Sequence, residues 1–435
     1  MHTSDIIKSG IIYIEQNLKT DITAEELANM AGYSVWHYHR LFVQSTGMSV
    51  SAYIGKLRLN RALNEIAGGR RAIDVALEYG FDTYAGFYKA FVRMYGGSPK
   101  NYLSKSEVSV MFTEKELREI LANWDVRQDV PILDVYTMDS TKVSGNVWSV
   151  GEDYILKAGS RERMLTNMKV AKALAAQGFV ASTPVLSKSG VEYLDRGKII
   201  VLTRGIKGNP LSKSVRFGES RREFGKKYGE SIARLHKALT VIESEIQPNE
   251  QNLYTHVTER ALLEVRKQNI QFNMGLPDTF FEDYINNFGI LFDKLPKQLI
   301  HRDPNPSNIL FDGGEVTGFI DFDLSERNVR LWDPCYCATG ILSEWRGVDH
   351  IYEKWLDILE GIIRGYDNVN PLMFEEKQAI FYVICSIQMI CTAYFEGVPA
   401  YKELAKQSRE MLKFIWENEM HIRKVLARAV QIEGD

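Results

Sequence analysis

The stretch from Gln298 to Pro334, QLIHRDPNPSNILFDGGEVTGFIDFDLSERNVRLWDP, constrains this chain more than any other. His301, Arg302 and Asp303 come first, with Asn308 following at a short fixed distance. A hairpin-like stretch then leads to Ile320-Asp321-Phe322-Asp323, and the apolar run Gly318-Phe319-Ile320 before Asp321 has the character of a strand. Transfer of a phosphoryl group to a hydroxyl needs such a set. One carboxylate must sit beside the hydroxyl, while an amide oxygen and a second carboxylate hold Mg²⁺ against the phosphates. Asp303, Asn308 and Asp321 fit those three roles in order and spacing. A lone His-x-Asp in a loop is ordinarily a turn with a capping carboxylate, but here three positions agree. The competing reading is a degenerate copy of such a site that does not turn over.

At 435 residues the chain exceeds one ordinary core, which predicts two or three domains. The composition, 45% hydrophobic and 25% charged, is that of a globular protein. The N-terminus MHTSDIIKSG lacks the basic, apolar and small-residue succession of a signal peptide, and no apolar run is read as a membrane span. Four cysteines (Cys335, Cys337, Cys385, Cys391) show no zinc spacing, so Cys335 and Cys337 are read as buried thiols in a reducing cytoplasm. Residues 1–105 hold 12 Lys and Arg against 9 Asp and Glu, a net +3, while the remainder carries −6. This permits nucleic-acid binding at the N-terminus without requiring it.

Residues 5–18 carry a helical stripe, Ile6, Ile7, Ile11, Ile14 and Leu18. Thr23 and Glu26 make a capping box before the next helix, Gly32 stops it, and Ser34 caps a helix from Val35 to Phe42. Helix, short glycine turn and helix form a helix-turn-helix unit. The pattern recurs at an offset of 48, pairing Ala28 with Ala76, Gly32 with Gly80 and Tyr33 with Phe81; Phe42 and Phe91 are offset by 49. Ala52 to Ile66 reads as a connecting helix with Leu57, Leu59 and Leu63 and the basic pair Arg58 and Arg61.

Together with the ending Gly97-Ser98-Pro99 and Tyr102, residues 5–103 resemble the AraC family of transcription regulators. The resemblance implies binding to double-stranded DNA, with two recognition helices about one duplex turn (~34 Å) apart in successive major-groove segments. Carried onto this sequence, the candidates for base contact are Trp36, His39 and Arg40 in the first unit and Tyr84, Ala85 and Lys89 in the second. Arg40 and Lys89 carry donors that match guanine O6 and N7. Lys56, Arg58 and Arg61 are expected on phosphate. Core packing is the competing reading of Trp36 and Tyr84, but neither falls on the stripe of Leu41, Phe42, Phe87 and Phe91. Ala85-Gly86 is small and apolar for a reading helix, so the second unit is expected mainly to grip backbone.

The boundary between the parts is placed near 104–112, with a short helix around Glu114–Asn123. The linker is poor in Gly and Pro, so the parts are expected to pack and not float. SGNVWSVGEDYILKAG then alternates as a β-hairpin, with Val147 and Trp148 on one strand and Tyr154 to Leu156 on the other, ending at Lys157. Ile199–Thr203 is a further strand. Phe224, Tyr228, Ile232, Leu235 and Leu239 form a helical stripe that contains His236.

The loop at 301–308, the Ile320–Asp323 motif and the Leu235-His236 helix make residues 112–435 resemble the aminoglycoside phosphotransferases and their choline- and homoserine-kinase-like relatives. Asp323 stands where protein kinases have glycine, and Trp332-Asp333-Pro334 follows too soon for an activation loop, which favours a small hydroxylated molecule over a protein as substrate. The resemblance implies ATP and Mg²⁺ as cofactors, with Asp303 as base and Asn308 and Asp321 as metal ligands. It also implies Lys157 on the nucleotide's phosphates and a hinge, Thr203 to Ile206, whose backbone meets adenine. His301, Asp323 and Asp333 would support the loop from behind. The glutamate expected to pair with Lys157 falls near Asn167, a departure, and Glu162 is the nearest acidic substitute. Glu344, Asp349, Glu353 and Glu396 are read as solvated helix faces before a cation-binding surface.

The sequence therefore predicts an all-α double helix-turn-helix domain at 1–105, a linker and small lobe of an α+β bilobal kinase-like domain at 106–206, and its mostly helical large lobe at 207–435. The expected function is a DNA-binding transcription regulator whose phosphotransferase-like domain binds Mg·ATP and a small hydroxylated molecule as sensor or substrate. The alternative is an active small-molecule O-phosphotransferase with an accessory DNA-binding domain. The location expected is the cytoplasm, with no membrane partner.

Overall fold

The computed structural model describes residues 3–46, 48–67, 70–95, 112, 114–136, 143–344, 348–398 and 401–430. The Gly97–Tyr102 ending and residues 104–111 of the expected boundary lie outside the described residues. By backbone proximity, residues 1–161 with 184–205 form one compact unit, and residues 162–183 with 206–435 form the other.

The first unit opens with six helices: α1 (Thr3–Gln16), α2 (Ala24–Ala31), α3 (Val35–Thr46), α4 (Val50–Ala67), α5 (Ala72–Glu78) and α6 (Tyr84–Tyr95). Their local causes repeat between the two halves. Gly32 and Gly80 both take the left-handed backbone, φ 70° and 74°, which glycine adopts without steric cost. After each, the chain closes with the same bond, Tyr33 N to Ala28 O (3.0 Å) and Phe81 N to Ala76 O (3.1 Å). Thr23 Oγ1 accepts from Glu26 N and Ser34 Oγ from His37 N, so both N-caps form, although the reciprocal Glu26 bond of the expected capping box is not seen among the described residues. The Glu26 carboxylate accepts from the Tyr13 hydroxyl and ties α2 to α1. Phe42, Phe87 and Phe91 are fully buried with Leu27, Ala28, Leu57, Leu63, Val75 and Ala76 in one core.

Two basic side chains differ from expectation. Arg58 donates from Nε to Leu18 O (2.9 Å) and from Nη2 to Thr20 O (2.6 Å), which satisfies carbonyls beyond the end of α1. Arg61 pairs with Glu116 at 3.0 Å. Both guanidiniums are engaged inside the protein, where bare spacing on a helix face suggested phosphate.

The rest of this unit is a five-stranded antiparallel sheet, in the order β1-β2-β3-β5-β4, with β1 (Ile132–Tyr136), β2 (Val143–Val150), β3 (Tyr154–Gly159), β4 (Leu194–Asp195) and β5 (Ile199–Arg204). Trp148 faces Leu156 across the predicted hairpin and Val147 faces Lys157. The alternation of β3 buries Leu156 and Ala158 and puts Lys157 on the opposite face. Helix α7 (Glu114–Leu121) and Trp124 close the sheet's own core against Trp148, Val150, Ile200 and Leu202.

The second unit begins with α8 (Arg161–Ala176) from Glu162 onward, and its large core includes Val170, Ala171 and Leu174 of that helix. Its longest helix is α9 (Arg221–Ile246), which buries Tyr228, Ile232, Leu235 and Leu239 as the stripe predicted. Close packing of α9 on α11 (Ile351–Val369) rests on glycines. A Cβ on Gly229 would lie 1.9 Å from Ile362 O, and one on Gly365 would lie 2.2 Å from Lys226 O. Between these helices in sequence come the antiparallel pairs β6 (Lys297–Ile300) with β9 (Glu326–Val329) and β7 (Ile309–Asp312) with β8 (Glu315–Phe319), followed by α10 (Trp332–Leu342).

Helix α12 (Phe374–Glu396) is long and apolar enough to cross a membrane, which corrects the expectation that no apolar run reaches that length. Two-thirds of its apolar window (67%) is buried in the core of this unit, which accounts for its composition without lipid. Cys335, Cys337 and Cys385 are buried free thiols in the same core.

Candidate functional site

The predicted loop sits between β6 and β7 and is held from behind by one fully buried carboxylate. Asp333, in the first turn of α10, accepts from His301 N (2.8 Å), Arg302 N (3.0 Å) and His236 Nε2 (2.8 Å). His236 in turn accepts at Nδ1 from the Tyr366 hydroxyl at 2.7 Å. Arg302 takes a left-handed backbone, φ 75°, which a non-glycine residue keeps only when its surroundings impose it. Here they do so repeatedly. Its carbonyl accepts from Trp332 Nε1 (2.8 Å), its guanidinium stacks 3.7 Å over the Trp332 ring, and Glu326 pairs with it at 2.7 Å.

His301 is fully buried, and burial pushes its pKa below the usual imidazole value, so the ring is neutral. Nε2 donates to Ile320 O at 3.0 Å, which ties the loop to the strand end before Asp321. Ile320 N closes the same juncture on Asn308 O at 3.0 Å.

Asp303 follows, partly buried. Burial, reinforced by the negative charge of Asp321, pushes its carboxyl up to about 6, against an ordinary value of 3.8. The Tyr336 hydroxyl donates to it, and Tyr336 lies one helical turn beyond Asp333 on α10. Asn308 donates from Nδ2 to the Asp303 backbone carbonyl (3.0 Å) and to Asp303 Oδ2 (3.3 Å). That fixes the amide so that its oxygen is presented as an acceptor. Asp321 stands at a left-handed turn, φ 70° and ψ 60°, opening the 3₁₀ turn Phe322–Leu324 that contains Asp323. The structure thus brings His301, Asp303, Asn308, Asp321, Asp323 and Asp333 together in one unit. An amide oxygen and a carboxylate are hard donors of the kind Mg²⁺ takes, the remaining positions being left to phosphates and water. The donor set fits that ion.

Two members of this cluster were not foreseen. Tyr336 carries no sequence signal, because its contact with Asp303 exists only once α10 is placed. Asn167 of α8 was noted only as a departure; its Oδ1 accepts from Phe322 N at 2.8 Å. Glu162 is exposed in the first turn of α8.

Of the expected nucleotide contacts, Lys157 and Thr203 lie on the sheet of the first unit. Thr203 is buried at the end of β5, and Gly205 N donates to Asp153 O at 2.7 Å. Ile206, first in the second unit's returning chain, packs on Gly318 of β8, where a Cβ would lie 3.0 Å from its Cγ2. Glu344 pairs with buried Arg216 and Glu396 with Arg409, while Asp349 and Glu353 are exposed.

All six DNA-contact candidates are exposed. Trp36 is 69% exposed on α3 and the Arg40 guanidinium lies 5.0 Å over its ring, while His39 shares that face. On α6, Tyr84, Ala85 and Lys89 are exposed, and the Tyr84 ring also packs against buried Phe87, 5.8 Å between centroids. The core-packing reading does not hold for Trp36, while Tyr84 sits at the edge of the core.

An antiparallel sheet, a mostly helical lobe and a loop braced in this way define a bilobal kinase-like phosphotransferase fold, here preceded by an AraC-type double helix-turn-helix. The family model described as the phosphotransferase enzyme family matches residues 140–372, more than half the chain, and the protein belongs to that family. A helix-turn-helix domain model matches residues 27–105. Over 126 residues the chain is 34% identical to the HTH-type transcriptional regulator YbfP of Bacillus subtilis (strain 168), a match covering 27% of this chain and 42% of that protein. The chain thus spans less than half that regulator's length. Over 270 residues it is 24% identical to homoserine kinase of Neisseria meningitidis serogroup B, covering 61% of this chain and 82% of that enzyme. An aminoglycoside phosphotransferase from Alicyclobacillus acidocaldarius shares the fold with a TM-score of 0.53 at 16% identity, covering 72% of this chain and 95% of that one.

Proposed function

We propose that this protein is a DNA-binding transcription regulator whose phosphotransferase domain binds Mg·ATP and a small hydroxylated molecule and retains the means to transfer the γ-phosphoryl group between them. The observation that carries the reading is Asp303: a partly buried carboxylate, pushed up to about 6, with Asn308 fixed against it and Asp321 close enough to act on its charge. A base must be ionised at working pH yet hold a proton for an instant, and a value near 6 serves both needs. The family membership and the similarity to a homoserine kinase support a small-molecule hydroxyl as acceptor. The regulator YbfP supports a role in transcription for the N-terminal domain, and with it a cytoplasmic location.

In this mechanism Asp303 orients the acceptor hydroxyl and takes its proton as the oxygen attacks the γ-phosphorus and the bond to the β-phosphate oxygen breaks, leaving ADP. Asn308 and Asp321 would hold Mg²⁺, which would supply positive charge against the phosphates. Lys157 binds phosphate, and the hinge at Thr203 and Ile206 receives adenine. His301, Asp323 and Asp333 keep the loop in shape. On DNA, Arg40 and Lys89 read guanine, with Trp36, His39, Tyr84 and Ala85 on the same two faces.

The test is calorimetric titration with Mg·AMP-PNP, followed by incubation with Mg·ATP and a panel of amino alcohols, hydroxy amino acids, sugars and aminoglycosides. Asp321→Ala should abolish Mg²⁺-dependent nucleotide binding. Asp303→Asn should keep it and lose turnover. Absence of nucleotide binding by the wild type would reduce the phosphotransferase reading to a fold. The second reading, a sensor without turnover, is favoured by Asn167 standing where the expected glutamate does not. Nucleotide binding without product on any member of the panel would support it.

A further inference from the structure

We infer that Asn167 is a positioning residue for the metal-holding turn, acting through the backbone at Phe322 in place of a charged partner; this rests on the phosphotransferase reading above. The turn needs holding. Asp321 sits at φ 70° and ψ 60°, a backbone region sparsely used by side-chain-bearing residues and kept only where neighbours over-determine it. Three hydrogen bonds bracket it. Two come from the loop that carries Asp303: Ile320 N to Asn308 O (3.0 Å) and His301 Nε2 to Ile320 O (3.0 Å). Both lie on the N-terminal side of Asp321. The third, Phe322 N to Asn167 Oδ1 (2.8 Å), is on the C-terminal side and arrives from α8, 155 residues away in sequence.

Asn167 is carried on an anchored element. Met164, Met168, Val170, Ala171 and Leu174 of α8 are buried, and Lys169 Nζ donates to Ile246 O at 2.7 Å. The chain that leaves α8 is strapped to the strand leading into the turn, because Ala181 bridges Phe319 in parallel. Phe322 itself is 1% exposed, its ring centroid 4.7 Å from that of His301. Rigid support of this kind is what a metal ligand needs to keep its aim.

The residue type matters as well. A glutamate reaching the same N–H would bring a further negative charge beside Asp303 and Asp321. The asparagine amide accepts the same bond with no charge and needs no cation to neutralise it. The missing glutamate is then a different way of bracing the site and not a sign of decay.

The experiment compares wild type, Asn167→Ala and Asn167→Asp, the last keeping an acceptor of equal reach. Hydrogen exchange read at Phe322 in the nucleotide-free protein should show protection in wild type and Asn167→Asp and at least about tenfold faster exchange in Asn167→Ala, with peptides elsewhere in the core unchanged. In calorimetry, Asn167→Ala should lose about 10–100-fold in Mg²⁺-dependent AMP-PNP affinity while metal-free nucleotide binding stays within about twofold. The inference is overturned if Phe322 exchanges equally fast in wild type and Asn167→Ala, or if Phe322 in Asn167→Asp exchanges as fast as in Asn167→Ala. If the wild type binds no Mg·AMP-PNP, the phosphotransferase reading fails, and the bracing by Asn167 is still judged by exchange alone.

Discussion

The gathering of Asp303, Asn308 and Asp321 was legible because they lie along one short stretch whose loop and following hairpin fold back on each other. Asp333 was legible as a support but not as the acceptor of three separate donors, and Tyr336 not at all, because both depend on where α10 lies. Asp303 carries a pH prediction. Its carboxyl must be ionised to accept a proton, so kcat/KM should fall below pH about 6 along a single limb, and a profile flat from pH 5 to 7 would exclude it as the base. The sign for stability is opposite. A folded-state value raised above the ordinary 3.8 makes this group's contribution greatest below that value and lost as pH rises through 6. In the N-terminal helices, exposure sets aside core packing of Trp36, which stacks with Arg40 at the surface. Arg40→Ala should cost about 1–3 kcal/mol at one base position if it grips guanine with two donors, as read by affinity across a set of single-base variants. Equal weakening on every sequence would reassign it to phosphate.

At the scale of elements, caps and turns were written locally and were read correctly: Thr23, Ser34, Gly32 and Gly80 each do what their chemistry dictates within four or five residues. Arg58 and Arg61 show the limit. On α4 they form a basic face by pattern, yet one satisfies carbonyls after α1 and the other pairs with Glu116, partners distant in sequence. Their substitution should therefore disturb folding before it changes the salt dependence of DNA binding. The long apolar helix Phe374–Glu396 misleads in a related way, since a fully packed core helix and a membrane span differ little in composition. Gly225, Gly229, Gly361 and Gly365 were also silent, although they let α9 and α11 approach at backbone distance. Gly229→Ala must place a methyl where Ile362 O lies 1.9 Å away, so overpacking should destabilise the protein by about 1–3 kcal/mol in urea unfolding. An unchanged midpoint would mean that the helices separate at little cost.

For the whole molecule, the sequence predicted a DNA-binding part followed by a two-lobed kinase-like part, and the fold agrees. The Gly- and Pro-poor linker pointed to packed parts, but which segments share a unit with the N-terminal helices could not be read from pattern, since it depends on packing between segments with no local code for each other. The sheet bearing Lys157 shares a unit with the six N-terminal helices, and within it Arg61 of α4 meets Glu116 of the helix that closes the sheet's core. A ligand changes DNA affinity only through different affinities for two states of the protein, and kinase-like folds supply such states by closing on nucleotide and substrate. Asp303→Asn separates the possible signals: if it responds to ligands as the wild type does, occupancy is the signal, and if only the wild type responds, the product is. The account is tested most directly by fluorescence anisotropy on the DNA site that the protein selects from a random pool, with and without Mg·ATP and a hydroxylated compound shown to bind. It predicts a change in DNA affinity of at least about fivefold, corresponding to a coupling of about 1–3 kcal/mol. An affinity unmoved by every ligand that demonstrably binds the phosphotransferase domain would contradict it.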